Sequence, residues 1–118
     1  MERNLQIYGT AVLLLALFDL PWLLMIGQVA QKLILRIQGS DLQLRFVPAF
    51  VVYLALAYLV LQVETPLEAF KMGVATYAVY DFTNLAMFKN YTLSFAMMDS
   101  LWGGILFALV RYALNRIF

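Results

Sequence analysis

Three aspartates lie inside apolar runs that are long enough to form membrane-spanning helices, and they constrain this chain more than any other feature. They are Asp19, Asp81 and Asp99. A charged side chain in the hydrocarbon core costs about 3 kcal/mol on insertion scales, so acids persist there mainly where they face the interior of a helix bundle. The aspartates therefore predict a bundle of membrane helices with a polar interior.

The composition agrees with an integral membrane protein. The chain has 118 residues, of which 64% are hydrophobic and 13% charged, whereas soluble domains carry about 25% charged residues. The net charge of +1 and the lack of a basic cluster exclude nucleic acid as a partner. The absence of cysteine and histidine excludes disulfides, thiolate metal sites and Cys or His nucleophiles. We expect the lipid bilayer as the partner and no cofactor.

Four spans are predicted, within a single domain that covers residues 1–118. The first, residues 5–27, is interpreted as a retained helix and not a secretory signal peptide, because it contains Asp19, is long, and lacks a small-residue cleavage site. Pro21 is predicted to bend it. The other predicted spans are residues 46–62, 66–88 and 93–113. The expected fold is an all-α, four-helix transmembrane bundle.

The segment 28–44 predicts an amphipathic helical connector between spans one and two. Lys32 and Arg36 alternate with apolar residues such as Leu33 at helical spacing. This helix either lies in the membrane interface or extends the first span, and it is predicted to stop at residues 39–41, where Gly, Ser and Asp follow one another.

Two local signals define the third and fourth spans. Thr65 as N-cap, Pro66 at the first helical position and Glu68 three residues after the cap predict a capping box. Residues 89–92 are too few for anything but a tight turn, so these spans are predicted to be antiparallel neighbours. Asn90 matches the N-glycosylation pattern, but beside the bilayer it is interpreted as a turn residue.

The basic residues do not predict an orientation. They divide four against four between the two faces of the membrane, which leaves the positive-inside rule undecided. The face of the termini has Arg3, Lys71, Arg111 and Arg116; the opposite face has Lys32, Arg36, Arg45 and Lys89. This balance is compatible with dual topology and with a weakly biased single topology.

The three aspartates are predicted to lie at the same depth. On the side of the connector, Asp19 is eight residues before Gly27, Asp81 is eight residues before Lys89, and Asp99 is seven residues after Thr92. At 1.5 Å per residue, all three are about 11–13 Å from the same membrane face. Topology and spacing alone therefore bring the carboxyl groups to one level.

Helical periodicity predicts which faces of spans three and four pack together. Both spans carry a stripe at three- and four-residue intervals, and small residues in the second stripe allow close approach. The third span has Gly73, Thr76, Tyr77, Tyr80, Asp81 and Asn84, and the fourth has Ala96, Asp99, Ser100, Gly103, Gly104 and Ala108. The predicted packing residues are Ala96, Gly103, Gly104 and Ala108. Asp19, one turn before Trp22, is expected to close the same space.

Three neighbouring carboxylates cannot all be ionised without a cation among them. The basic residues lie near the helix ends, so the sequence shows no dedicated ion-pair partner. We expect the site to hold protons, a metal or organic cation, or internal hydrogen bonds. Its predicted members are Asp19, Asp81 and Asp99, with Asn84 and Thr83 completing the coordination, Tyr77, Tyr80 and Ser100 as partners, and Trp22 and Trp102 as walls. Tyr53 and Tyr58 of span two are interpreted as packing or interface anchors.

The motifs Tyr80-Asp81-Phe82-Thr83-Asn84, Asp99-x-x-Trp102-Gly103 and Asp19-x-x-Trp22 resemble those of the domain-of-unknown-function 2177 family of small membrane proteins. The resemblance covers essentially the whole chain. It implies a four-helix membrane fold and identifies the residues of interest, but it implies no biochemical activity. This chain has Tyr91-Thr92 where the family usually has a Trp-Pro pair. The shared Asp-x-x-Trp form of two motifs is too short to indicate an internal repeat.

Three classes of function follow from these observations. The first is a small proton- or cation-linked transport or permeation protein, acting as a homo-oligomer, with the aspartates as its binding groups. The alternative is a structural or accessory membrane protein, such as an envelope or assembly component, whose polar core only specifies helix packing. An intramembrane enzyme with paired aspartates ranks last, because the sequence lacks a nucleophile, a metal-ligand set and a phosphate-binding loop.

Overall fold

The computed structural model describes residues 2–40 and 45–118 of the chain. Over these ranges the protein is all-α, with four helices and no strand, which confirms the predicted class. The helices are α1 (Glu2–Gln38), α2 (Phe46–Val60), α3 (Pro66–Met87) and α4 (Leu93–Ile117). 

The connector extends the first helix. α1 continues for 37 residues, through Pro21, and ends at Gln38. Gly39 follows with a φ of +74° and donates its N–H to the carbonyl of Leu35 at 2.9 Å, a left-handed termination that glycine adopts without steric cost. The bend at Pro21 stays a prediction, and residues 41–44 of the predicted connector lie outside the described residues.

Side-chain caps start the last two helices. The Thr65 hydroxyl oxygen accepts the backbone N–H of Glu68 at 3.1 Å, which confirms the predicted cap of α3. The Glu68 carboxylate completes the pair by accepting from the Thr65 hydroxyl at 2.9 Å. Thr92 caps α4 in the same way and accepts the N–H of Phe95 at 3.3 Å. The five residues from Phe88 to Thr92 form the predicted tight turn between α3 and α4.

Two of the described helices, α1 and α4, are long and apolar enough to cross a membrane. α2 is apolar but has only 15 residues, a rise of about 22 Å against a hydrocarbon core of about 30 Å. α3 has 22 residues and includes Glu68, Lys71 and Asp81. Length and composition therefore support two crossing helices, and the four-span arrangement remains a prediction.

The most extensive helix interface joins α3 to α4. The backbones touch where Gly73 faces Gly103, because a Cβ built on Gly103 would lie 2.8 Å from the Gly73 carbonyl oxygen and would overlap the Tyr77 ring. A Cβ on Gly104 would lie 2.5 Å from Val74 Cγ2. Of the predicted packing residues, Ala96, Gly103 and Gly104 are buried and Ala108 is half-buried. This close approach places the α3 aspartate directly against α4.

We predict that Gly103→Ala destabilises the bundle by about 1–3 kcal/mol, because the new methyl group forces α3 and α4 apart. Denaturant unfolding in detergent, followed by far-ultraviolet circular dichroism, measures the change. The control is Gly9→Ala in α1, where a Cβ meets nothing within 4 Å and helix propensity favours alanine by up to about 1 kcal/mol. A Gly103→Ala protein as stable as the original would contradict the close α3–α4 contact.

Candidate functional site

Two Asp-x-x-Trp motifs, one on α1 and one on α4, exchange hydrogen bonds. The indole N–H of Trp102 donates to Asp19 Oδ1 at 2.7 Å, and the indole N–H of Trp22 donates to Asp99 Oδ1 at 3.3 Å. In each motif the three-residue spacing puts both side chains on one helix face. Position 19 pairs with 102 and position 22 with 99, so α1 and α4 run antiparallel.

The two indole rings also stack on each other. The ring centroids of Trp22 and Trp102 lie 5.2 Å apart with 10° between the planes, and such pairs contribute about 0.5–1.5 kcal/mol beyond their burial. The two motifs, whose similarity is too short to indicate a repeat, thus form one approximately two-fold unit. The predicted tryptophan walls are therefore also hydrogen-bond donors to the acids.

Asp19 is 7% exposed, and both of its oxygens accept hydrogen bonds. The second donor is Tyr53 of α2, whose hydroxyl lies 2.6 Å from Asp19 Oδ2. Tyr53, predicted from the sequence as a packing or interface anchor, is thus also a hydrogen-bond donor to the site. Tyr53 lies seven residues from Phe46 at the start of α2, which at 1.5 Å per residue is about the depth of the aspartates. Spacing from the helix end, applied to tyrosines as well as to acids, therefore predicts that Tyr53 lies near the aspartates.

Asp81 on α3 is fully buried. Its Oδ1 accepts from the Tyr91 hydroxyl at 2.8 Å, and its Oδ2 is buried without a hydrogen-bond partner among the described residues. The Ser100 hydroxyl is likewise buried and unpartnered there. The carboxyl of Asp99 lies close enough to interact with the Asp81 carboxyl, and Ser100 also lies next to the Asp81 carboxyl. We call Asp19, Asp81 and Asp99 with their donors the carboxylate network.

Tyr91 lies in the α3–α4 turn, yet it is only 7% exposed. It packs beside Leu33 and Ala96 and edge-on against Phe95, with ring centroids 5.7 Å apart. Burial, together with the bonded Asp81 carboxyl, raises the pKa of Tyr91 above its ordinary value. Its hydroxyl therefore stays protonated, and a donor, at physiological pH. This role of Tyr91 is not predicted from the sequence, where the one signal is that Tyr91-Thr92 stands in place of the family's Trp-Pro pair.

A cavity of about 350 Å³ lies between the C-terminal half of α1, the end of α3 and the start of α4. Asp99 lines it, together with Tyr80, Asn84 and Tyr91. Asp81 is not among the lining residues. Asp99 is thus the carboxyl of the network that a molecule in the cavity can touch, with Asp81 behind it.

The remaining predicted site residues are placed differently. Tyr77 is half-buried and packs edge-on against Phe107, with ring centroids 6.5 Å apart. It lies near enough to all three aspartates to interact with them electrostatically. Thr83 is exposed and forms no hydrogen bond within the described part of the chain, so the structure does not bring it to the site. Within residues 2–40 and 45–118, no group of three or more acidic side chains is placed to hold a metal ion.

A helical bundle with two helices that suit a bilayer, and with buried acids between them, is a small integral membrane protein. The chain belongs to the domain-of-unknown-function 2177 family, described as predicted membrane proteins, whose model matches residues 4–114. The predicted family resemblance is confirmed over this range. No curated protein and no solved structure matches the chain.

We predict that the Asp19–Trp102 hydrogen bond couples α1 to α4 by about 0.6–1.7 kcal/mol, between the average and the largest coupling found for polar pairs between membrane helices. A double-mutant cycle of Asp19→Leu and Trp102→Phe, with unfolding free energies measured in detergent, gives the coupling. In the control cycle, Asp19→Leu is combined with Tyr8→Phe, which removes the α1–α2 bond to the Leu54 carbonyl. Those two changes should add within about 0.5 kcal/mol. Equal coupling in both cycles would argue against the reciprocal bonds.

Proposed function

We propose that the protein is a small proton- or cation-linked transport or permeation protein, in which Asp99 and Asp81 take up and release the transported charge. The observation that carries this proposal is the buried Asp81 Oδ2, which has no donor among the described residues and lies next to a second acid. A buried carboxylate oxygen without a donor is costly. A proton held between the two carboxyls removes that cost, and such a proton is exchangeable through Asp99.

The donors to the three carboxyls support a proton-holding network. They are indole and phenol groups, and all are neutral. Among the described residues, the groups that act most strongly on the Asp81 and Asp99 carboxyls include no lysine or arginine. Two neighbouring acids without a basic partner titrate as a coupled pair, so a cation that binds at Asp99 displaces the shared proton.

The network divides into two parts in this proposal. Asp19 has a strong donor on each oxygen, which suits a group that joins α1, α2 and α4 and keeps one protonation state. Asp99 accepts one indole hydrogen bond and reaches the cavity, while one oxygen of Asp81 has no partner in the part of the chain that the structure describes. Exchange is therefore assigned to the Asp99–Asp81 pair.

The membrane arrangement is also part of the proposal. All four helices are taken to span the bilayer, with α4, which contacts each of the other three helices, at the centre of the bundle. Among the described residues, the cavity lies at the end of the bundle that holds the α3–α4 turn, where Phe88 and Tyr91 line it. A continuous pathway then requires a second copy or a change of conformation, which favours a homo-oligomer.

The alternative is a structural or accessory membrane protein. The observation that favours it is that both oxygens of Asp19 accept hydrogen bonds, one from Trp102 and one from Tyr53. A residue whose role is to hold helices together needs no further partner. Under this alternative, replacing all three aspartates by asparagine leaves the assembly intact, and no transported charge exists.

The test is proton flux into liposomes that contain the purified protein and a pH-sensitive dye, with the membrane potential clamped. We expect Asp99→Asn and Asp81→Asn each to reduce the flux by about tenfold or more, because neither amide can hold the exchanged proton. Glu64→Gln is the matched control, since it removes one acid from an exposed position in the α2–α3 link. Flux no higher than in empty liposomes, or unchanged in both asparagine variants, would rule out the proposal.

A further inference from the structure

The cavity beside Asp99 has the size and walls of a small-molecule site. Its volume of about 350 Å³ lies at the lower end of the range for ligand pockets. Most of its wall is apolar and comes from three helices and the α3–α4 turn. The apolar lining residues are Ala30, Leu33, Ile34, Ile37, Phe88 and Phe95.

Among the described residues that line this cavity, the only charge is negative. Asp99 is the single ionisable acid among the described residues that line it, and none of those residues is a lysine or arginine. Lys32 of α1 lines a separate open depression with Gly27 and Gln28. A carboxyl at the wall of an apolar, low-dielectric space attracts a cation more strongly than it does in water. The occupant that this cavity fits is therefore positively charged.

The walls favour an organic cation over a metal ion. Calcium takes six to eight oxygen ligands and magnesium about six, whereas this cavity presents one carboxyl and the polar groups of Asn84 and two tyrosines. An alkylated ammonium group needs few ligands and is attracted to aromatic faces. Tyr80, Tyr91 and Phe95 supply aromatic rings beside Asp99. Apolar substituents on the cation match the leucine and isoleucine wall of α1.

We propose that this cavity binds a small lipophilic organic cation, with its ammonium group against Asp99 and its apolar part against Leu33, Ile34 and Phe95. The inference rests on the proposed function, for which it names the class of substrate: the bound cation replaces the proton that Asp99 shares with Asp81. Entry from the bilayer or from the membrane interface suits an amphipathic molecule of this kind.

The test is binding of benzyltrimethylammonium, a quaternary ion that carries no exchangeable proton. The full chain is placed in nanodiscs of phosphatidylcholine, whose zwitterionic surface gives no competing anionic site, and binding is measured by equilibrium dialysis against empty nanodiscs. Trp22 and Trp102 are the two tryptophans of the chain, so their fluorescence reports occupancy next to Asp99. We expect saturable binding with a matching change in fluorescence.

Three comparisons make the result specific. Asp99→Asn should weaken binding about tenfold or more. Ile34→Phe fills the cavity and should weaken it similarly, and this variant keeps the test decisive if Asp99→Asn fails to fold by circular dichroism. Leu24→Phe is the matched control, because Leu24 lies on the same helix, 75% exposed and outside the cavity. Its affinity should stay within about twofold of the original.

Two outcomes would overturn the inference. One is the absence of saturable benzyltrimethylammonium binding. The other is equal competition by neopentylbenzene, the uncharged carbon analogue, which would make the cavity a site for neutral apolar molecules such as acyl chains. Either outcome, with Asp99-dependent proton flux still present in liposomes, removes the organic cation and leaves the proposed function standing. Loss of the flux as well would remove both.

Discussion

The fold depends on hydrogen bonds from neutral aromatic donors to buried acids. Carboxyl groups within apolar helices must be satisfied inside the protein, because the bilayer offers no water to solvate them. Trp102 and Tyr53 satisfy Asp19, and Trp22 bonds to Asp99. These contacts join α1 to α2 and α4 at one level. The stacked rings of Trp22 and Trp102 fix the position of α1 relative to α4. The buried acids, although costly to bury, therefore hold α1 in register through their hydrogen bonds.

The second constraint is the close contact between α3 and α4. Without side chains at Gly73 and Gly103, the two backbones meet, and Asp81 is pressed against the start of α4, where Ser100 and Asp99 lie. The turn then folds Tyr91 inward onto Asp81. Glycine packing and acid placement are therefore parts of one arrangement, because the close helix contact brings Asp81 and Asp99 together. Among the described residues, one buried oxygen of Asp81 is left without a donor.

Much of this arrangement follows from sequence. Spacing from the span ends predicts one level for the aspartates, and Asp19 and Asp99 do lie at matched positions along α1 and α4. The capping box predicts where α3 begins, and the short turn predicts where α3 ends and α4 begins. The side chains that donate hydrogen bonds to the acids are harder to predict. Tyr53 and Tyr91 belong to no periodic pattern in the sequence, and their long side chains carry the hydroxyl far from the backbone. The sequence also does not decide whether α1 continues past residue 27, because an amphipathic segment suits an interfacial helix and a helix extension equally.

The central claim is that the Asp99–Asp81 pair holds a proton at neutral pH. Infrared spectroscopy of the protein in lipid, exchanged between H₂O and D₂O, tests it most directly, because a protonated carboxyl has its own carbonyl band and that band shifts on deuteration. The account predicts such a band in the original protein, lost in Asp81→Asn and in Asp99→Asn and retained in Glu64→Gln. A spectrum without a protonated carboxyl band, or a band that survives in both asparagine variants, would contradict it.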